Sequence, residues 1–170
     1  ITPAGEVQAA AVGRRLAELG AGSRLTSVWT SPRRRAIRTC ELALAAAGLD
    51  PGPLVRPDLA EWDYGSYEGL TSAEIAEQDP DWTIWTAGGP GGETAEQVSA
   101  RADGVIADLL GTAGEVALFS HGHFLRALAA RWLGLEVALG RALTLGAGSL
   151  SALGFEHQDR TIHLWNEQPD

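Results

Sequence analysis

Three short stretches of this 170-residue chain gather side chains able to do chemistry. Ser31-Pro32-Arg33-Arg34-Arg35-Ala36-Ile37-Arg38-Thr39 crowds arginines at the expected start of a helix. Arginine is a fork-shaped ligand for phosphate, so an anion would make that cluster favourable; the plainer reading is a solvated basic face. Glu61-Trp62-Asp63-Tyr64-Gly65-Ser66-Tyr67-Glu68-Gly69 sets carboxylates among aromatics. Such surroundings can raise a carboxyl pKa and keep a proton for a leaving group; the alternative is a surface loop closing a small satellite core. Ser120-His121-Gly122-His123 follows an apolar run, with Gly122 allowing close backbone approach. His121 is then either a structural histidine or a site histidine at the end of a strand. A metal pair of His121 and His123 is weaker, because no third ligand lies nearby in sequence.

The elements that must position these residues alternate along the chain. Thr2-Pro3 caps a first helix carrying Val12, Leu16 and Leu19. Leu25–Thr30 reads as a buried strand ending at Ser31, and Pro32 opens a second helix through Ile37, Leu42 and Leu44. Leu54-Val55-Arg56 is a further strand candidate, and Leu59 to Gly69 a loop. Thr71–Glu74 and Thr94–Gln97 fit capping boxes for a short and a long helix, separated by a Trp/Gly/Pro segment, Trp82 to Gly92, expected to be a loop or lid. Glu115–Ser120 is the clearest buried strand, followed by a helix from Phe124 to Leu133. Ser149–Phe155 and Thr161–Trp165 suggest a closing hairpin, on which His157 and His163 are structural or exposed. The pattern predicts an α/β three-layer sandwich around a mostly parallel sheet, with ligands at the carboxyl ends of strands, where helix N-termini attract anions.

Composition narrows the partners. With 13 basic and 22 acidic residues the formal charge is −9, which argues against nucleic acid or an anionic membrane surface. No apolar run reaches the roughly 18 residues that span a bilayer. The single cysteine, Cys40, is expected to be a packing residue and fits a reducing, cytoplasmic setting. Every basic residue is Arg, which an Ala/Gly/Arg-rich composition explains as well as function does.

Taken in order, these segments resemble the histidine phosphatase superfamily, the phosphoglycerate mutase-like proteins. Ile1-Thr2-Pro3-Ala4-Gly5-Glu6-Val7-Gln8-Ala9 is similar to its Leu-Thr-x-x-Gly-x-x-Gln-Ala segment. Ser31-x-x-x-Arg35-Ala36-x-x-Thr39, Glu61-x-x-x-Gly65-x-x-Glu68-Gly69 and Ser120-His121-Gly122 are similar to three further motifs of that family. The resemblance implies a single domain over 1–170, and a metal-independent phosphomonoester hydrolase acting through a phosphohistidine, with no cofactor. It implies that Arg35, His121 and Gly122 bind phosphate, and that Glu61 and His121 are catalytic, Glu61 as general acid and then base. Arg33, Arg34 and Arg38 are secondary candidates.

The family's Arg-His-Gly, carrying the nucleophilic histidine, is expected upstream of the Leu-Thr-x-x-Gly segment, on a first strand. With Ile at position 1 and no Met anywhere, such upstream sequence is the expectation for this chain. The implied partner is a small phosphorylated substrate, and a homodimer is compatible with this reading. Alternatives are a cofactor-dependent phosphoglycerate mutase, a catalytically inactive phospho-ligand binding module, and a metallohydrolase using His121 and His123. Only residues 62–120 separate Glu61 from His121, which favours the phosphatase over the mutase.

Overall fold

Apolar spacing and caps place most helices where the sequence puts them. In the computed structural model, which describes residues 1–50 and 52–170, helix α1 spans Pro3–Glu18, and the Thr2 hydroxyl accepts the Gly5 N–H at 3.1 Å. Helix α2 spans Arg34–Ala47 and stops at Gly48, whose φ of 68° is left-handed backbone that favours glycine. Capping boxes start α3 (Ser72–Gln78) at Thr71 and α5 (Ala95–Gly111) at Thr94. Helix α6 spans Gly122–Trp132 and begins two residues earlier than the apolar spacing suggests. The backbone amide of His123 therefore lies inside its first turn.

Strand β1 (Leu25–Thr30) runs parallel to β2 (Leu54–Val55) on one side and to β3 (Glu115–Phe119) on the other. β4 (Leu150–Glu156) and β5 (Asp159–Glu167) form a separate antiparallel hairpin. Successive side chains of β1 point to opposite faces and select the layers. Val28 packs with Val12, Cys40, Ala43, Leu44 and Phe119 beneath α1 and α2. Trp29 joins Val98, Val105, Phe124 and Leu128 beneath α5 and α6. Helices thus cover both faces of a parallel sheet, as the α/β pattern predicts.

The segment from Trp82 to Gly92 corrects the expectation of a loop or lid. It contains a short helix, α4 (Ile84–Ala87), with Ile84 and Trp85 buried and Trp85 edge-on to Trp62 at 5.5 Å. Burying a large aromatic anchors the segment, because freeing it would re-expose well over ~100 Å² of apolar surface. The second helix also departs slightly from the expected start: Arg34, not Pro32, is its first residue, and Arg33 precedes it without a side-chain cap.

Beyond β3 the sheet ends on a groove of about 1300 Å³ that extends to the hairpin, lined in part by Val116, Leu118, Leu125, Leu150 and Leu153. β1 pairs with β3 along one edge only; among the described residues no strand pairs with the other.

Two glycines predict opposite responses to the same change. A Cβ on Gly13 would lie 2.1 Å from the Ala43 carbonyl oxygen, where α1 crosses α2, whereas one on Gly104 in α5 would meet nothing within 4 Å. Gly13→Ala is expected to destabilise by about 1–3 kcal/mol and Gly104→Ala to stabilise by about 0.5–1 kcal/mol, read from urea unfolding.

Candidate phosphoryl-transfer site

The carboxyl ends of β1 and β3 lie side by side, and the chain leaves each into a helix start. Ser31 follows β1 and His121 follows β3, so strand pairing alone brings them together. Both are buried, and His121 Nε2 lies 2.7 Å from Ser31 Oγ. Arg35, in the first turn of α2, donates from Nε to His121 Nδ1 at 3.1 Å. A guanidinium only donates, so Nδ1 is an acceptor and the ring proton sits on Nε2, which donates to Ser31 Oγ. The imidazole is held neutral.

Burial pushes the His121 pKa from 6.5 down to about 4, and the Arg35 charge pushes it the same way against the opposing pull of Glu61. The fixed positive charge touching His121 is Arg35. Its terminal nitrogens have no protein partner among the described residues.

Glu61 reaches the same corner from the loop before α3. Its carboxylate accepts the backbone N–H of Phe124 at 2.8 Å and of His123 at 3.2 Å, and also that of Trp62 at 3.0 Å. α6 has no cap from its own N-cap residue, His121. Glu61 supplies that cap from elsewhere in the chain, where the helix dipole favours a carboxylate. This differs from a carboxyl shielded by aromatics: both of its oxygens accept backbone N–H groups. The other two carboxylates of the motif build the loop, Asp63 accepting from the Gly65 N–H at 2.9 Å and Glu68 from the Tyr64 N–H at 3.3 Å.

The structure therefore brings together Arg35, Glu61, His121 and Gly122, and gives Arg38 and His123 other partners. Arg38 turns to Glu6, at 3.1 Å, and to Glu41. Arg34 is exposed. Arg33 lines a cavity of about 500 Å³ beside Glu61, together with Asp63, Glu68, Glu93 and Arg101. His123 has other partners than His121: its Nδ1 shares a hydrogen bond with the Tyr64 hydroxyl, and its ring leans on Trp85. The two imidazoles thus have different partners, and among the described residues no group of three His, Cys, Asp or Glu is placed around a common point. Cys40 is fully buried, its thiol pKa pushed up to about 12 by burial, in line with a packing role.

Sequence reasoning does not single out Ser31, Tyr64 or Arg101 as site residues. Ser31 has a positional signal, since it ends a strand. Arg101 has none, because its partners lie far from it along the chain.

A parallel sheet with an arginine, a histidine and a carboxylate converging where two strands end defines a phosphoryl-handling α/β protein. A family model of the histidine phosphatase superfamily (branch 1) matches residues 1–168, and the chain belongs to that family. It is 43% identical over 164 residues to an acid phosphatase of Mycobacterium tuberculosis, covering 95% of this chain and 77% of that one. It is 36% identical over 134 residues to the sedoheptulose 1,7-bisphosphatase of Saccharomyces cerevisiae, covering 66% of this chain and 49%, about half, of the yeast protein. A solved structure from an open reading frame of M. tuberculosis superposes with a TM-score of 0.90 at 41% identity, over 99% of this chain and 84% of that one. A mycobacterial glucosyl-3-phosphoglycerate phosphatase superposes with a TM-score of 0.82 at 28% identity, over 99% of this chain and 88% of that one. Fold and family agree with the expectation drawn from the sequence. Among the described residues no helix is long and apolar enough to cross a membrane.

The lowered His121 pKa fixes how stability depends on pH. Between pH 6.5 and about 4 the unfolded chain takes up a proton at this position that the folded chain refuses. Its contribution is complete above 6.5 and is lost as pH falls through that window. His123, its pKa lowered chiefly by burial, acts in the same direction. His121→Gln is expected to flatten the fall in the urea midpoint between pH 6.5 and 4.5, measured at closely spaced pH values.

Proposed function

We propose that this protein is a metal-independent phosphomonoester hydrolase, a histidine acid phosphatase working through a phosphohistidine. The observation that carries the reading is the convergence of Arg35, His121 and Glu61 on the carboxyl ends of β1 and β3. Arg35 would clamp the phosphoryl oxygens through its uncommitted terminal nitrogens, with His121 and the amide of Gly122 completing the binding site. A histidine nitrogen attacks phosphorus, the bond from phosphorus to the ester oxygen breaks, and Glu61 gives that oxygen a proton. Glu61 then takes a proton from the water that cleaves the phosphohistidine, releasing phosphate and regenerating the histidine.

The nucleophile would arrive on an additional strand bearing Arg-His-Gly, completing a single domain. The groove between β3 and the hairpin supports this, because it runs along an edge of β3 that no strand among the described residues pairs with. The cavity beside Glu61 has room for a small leaving group, and the names of the yeast and mycobacterial relatives fit small phosphorylated carbon compounds. A cytoplasmic setting is part of the same reading, supported by the one cysteine being buried.

Two measurements on the full-length protein test it. Arg35→Ala should lower kcat/KM for p-nitrophenyl phosphate by roughly 10²–10³, while Arg38→Ala, which removes only exposed ion pairs, should change it by no more than about threefold. Equal losses would reduce the cluster to a diffuse basic patch. Glu61→Gln should lower kcat/KM, which reports the ester-cleaving step, by about 10²–10⁴ for an alkyl phosphate and nearly spare it for the activated aryl ester, whose leaving group needs little protonation. For the added strand, amide exchange should find the outward-facing N–H groups of β3 as protected as those paired with β1. Fast exchange along that edge would leave the groove empty in solution.

A further inference from the structure

Arg101 makes four hydrogen bonds through its guanidinium, and all of them end on the segment that carries Glu61 or on the residue that braces it. Nη1 donates to the carbonyls of Asp58 and Ala60, each at 2.8 Å, and Ala60 immediately precedes Glu61. Nε and Nη2 donate to the two oxygens of Glu93 at 2.8 and 2.7 Å. Glu93 carries the grip past Glu61: its carboxylate accepts the Asp63 N–H at 3.0 Å, and its carbonyl accepts the Trp62 indole N–H at 3.0 Å. The guanidinium also lies over the Phe124 ring at 4.3 Å, and the Phe124 amide donates to Glu61. Arg101 therefore holds the chain before Glu61, the chain after it and the helix turn that binds its carboxylate.

We propose that Arg101 is a positioning residue for the proton donor, acting through the Arg101–Glu93 fork and not by touching the substrate phosphate. This rests on the reading of Glu61 as general acid. Geometry explains why the residue is arginine. A lysine offers one nitrogen, which cannot satisfy two carboxylate oxygens and two carbonyls in a fixed plane or stack on a ring in the same way. Both side chains of the pair are largely shielded, at 16% and 24% exposure, so solvent screens the fork less than it would a surface pair. In the step that breaks the ester bond, a displacement of Glu61 by a fraction of an ångström would matter only to substrates that need its proton.

The test uses the full-length protein and two substrates, an alkyl phosphate and p-nitrophenyl phosphate. Arg101→Lys is expected to lower kcat/KM, which reports the ester-cleaving step, about tenfold or more on the alkyl ester while changing it by less than about threefold on the aryl ester. The acid-requiring limb of the kcat/KM pH profile should move for the alkyl ester. In Arg101→Lys/Glu61→Gln the loss should be no greater than in Glu61→Gln alone, because the two residues act as one unit. Glu93→Gln opens the same fork from its other end and should give the same selective loss, which keeps the question answerable if Arg101→Lys folds poorly. Equal losses on both substrates or additive losses in the double variant would overturn the proposal. If Glu61→Gln discriminates between the esters and neither fork variant does, the positioning role alone fails. If Glu61→Gln does not discriminate, the acid assignment fails and takes this inference with it.

Discussion

The start of α6 needs an acceptor that its own sequence does not provide. A helix leaves its first N–H groups unpaired, and one buried without partners costs several kcal/mol in all. His121 stands at the cap position with its ring committed to Arg35 and Ser31, so it cannot serve. Glu61 takes that place from a loop some sixty residues earlier, accepting from His123 and Phe124. That one contact ties the loop, the helix and the histidine into a common frame. Replacing such a cap ordinarily costs about 0.5–2 kcal/mol, so Glu61 has structural weight as well as its proposed role as proton donor.

Around this frame the electrostatics are divided. In a chain with a formal charge of −9, Arg35 lies beside a neutral imidazole at the strand ends. Burial and Arg35 together hold His121 unprotonated, and a dianion arriving between them would reverse the second of those effects. On the outer side, Tyr64 bonds to His123 while Arg126 stacks over Trp85 at 4.8 Å, so the wall next to the site is built from buried aromatics. This is why the Trp82–Gly92 segment is part of the core instead of a lid.

The groove beyond β3 belongs to the same architecture. Parallel strands covered by helices on both faces are apolar on both faces, and Val116 and Leu118 fit that rule although one edge of their strand is open. The relatives cover this chain almost end to end at high structural similarity, so the helical layers of this chain match theirs, with TM-scores of 0.90 and 0.82.

The amino-acid sequence by itself determined most of the local structure and singled out candidate site residues. β1 follows from Leu25–Thr30, the capping boxes from Thr71 and Thr94, and Arg35, Glu61 and His121 are legible because each stands in a motif with a positional meaning. Periodicity and caps are interactions within a few residues, so a linear reading captures them. What the tertiary structure decided is which carboxylate of three meets the helix start, which arginine of four meets the histidine, and which nitrogen of that histidine carries the proton. Asp63 and Glu68 are of the same chemical kind as Glu61 but spend their oxygens on their own loop. Arg101 joins residues more than forty positions away, and no spacing in the chain announces it. Those choices depend on directions in space, set when strands pair and helices pack, and the order of residues along a chain carries no such directions until it folds.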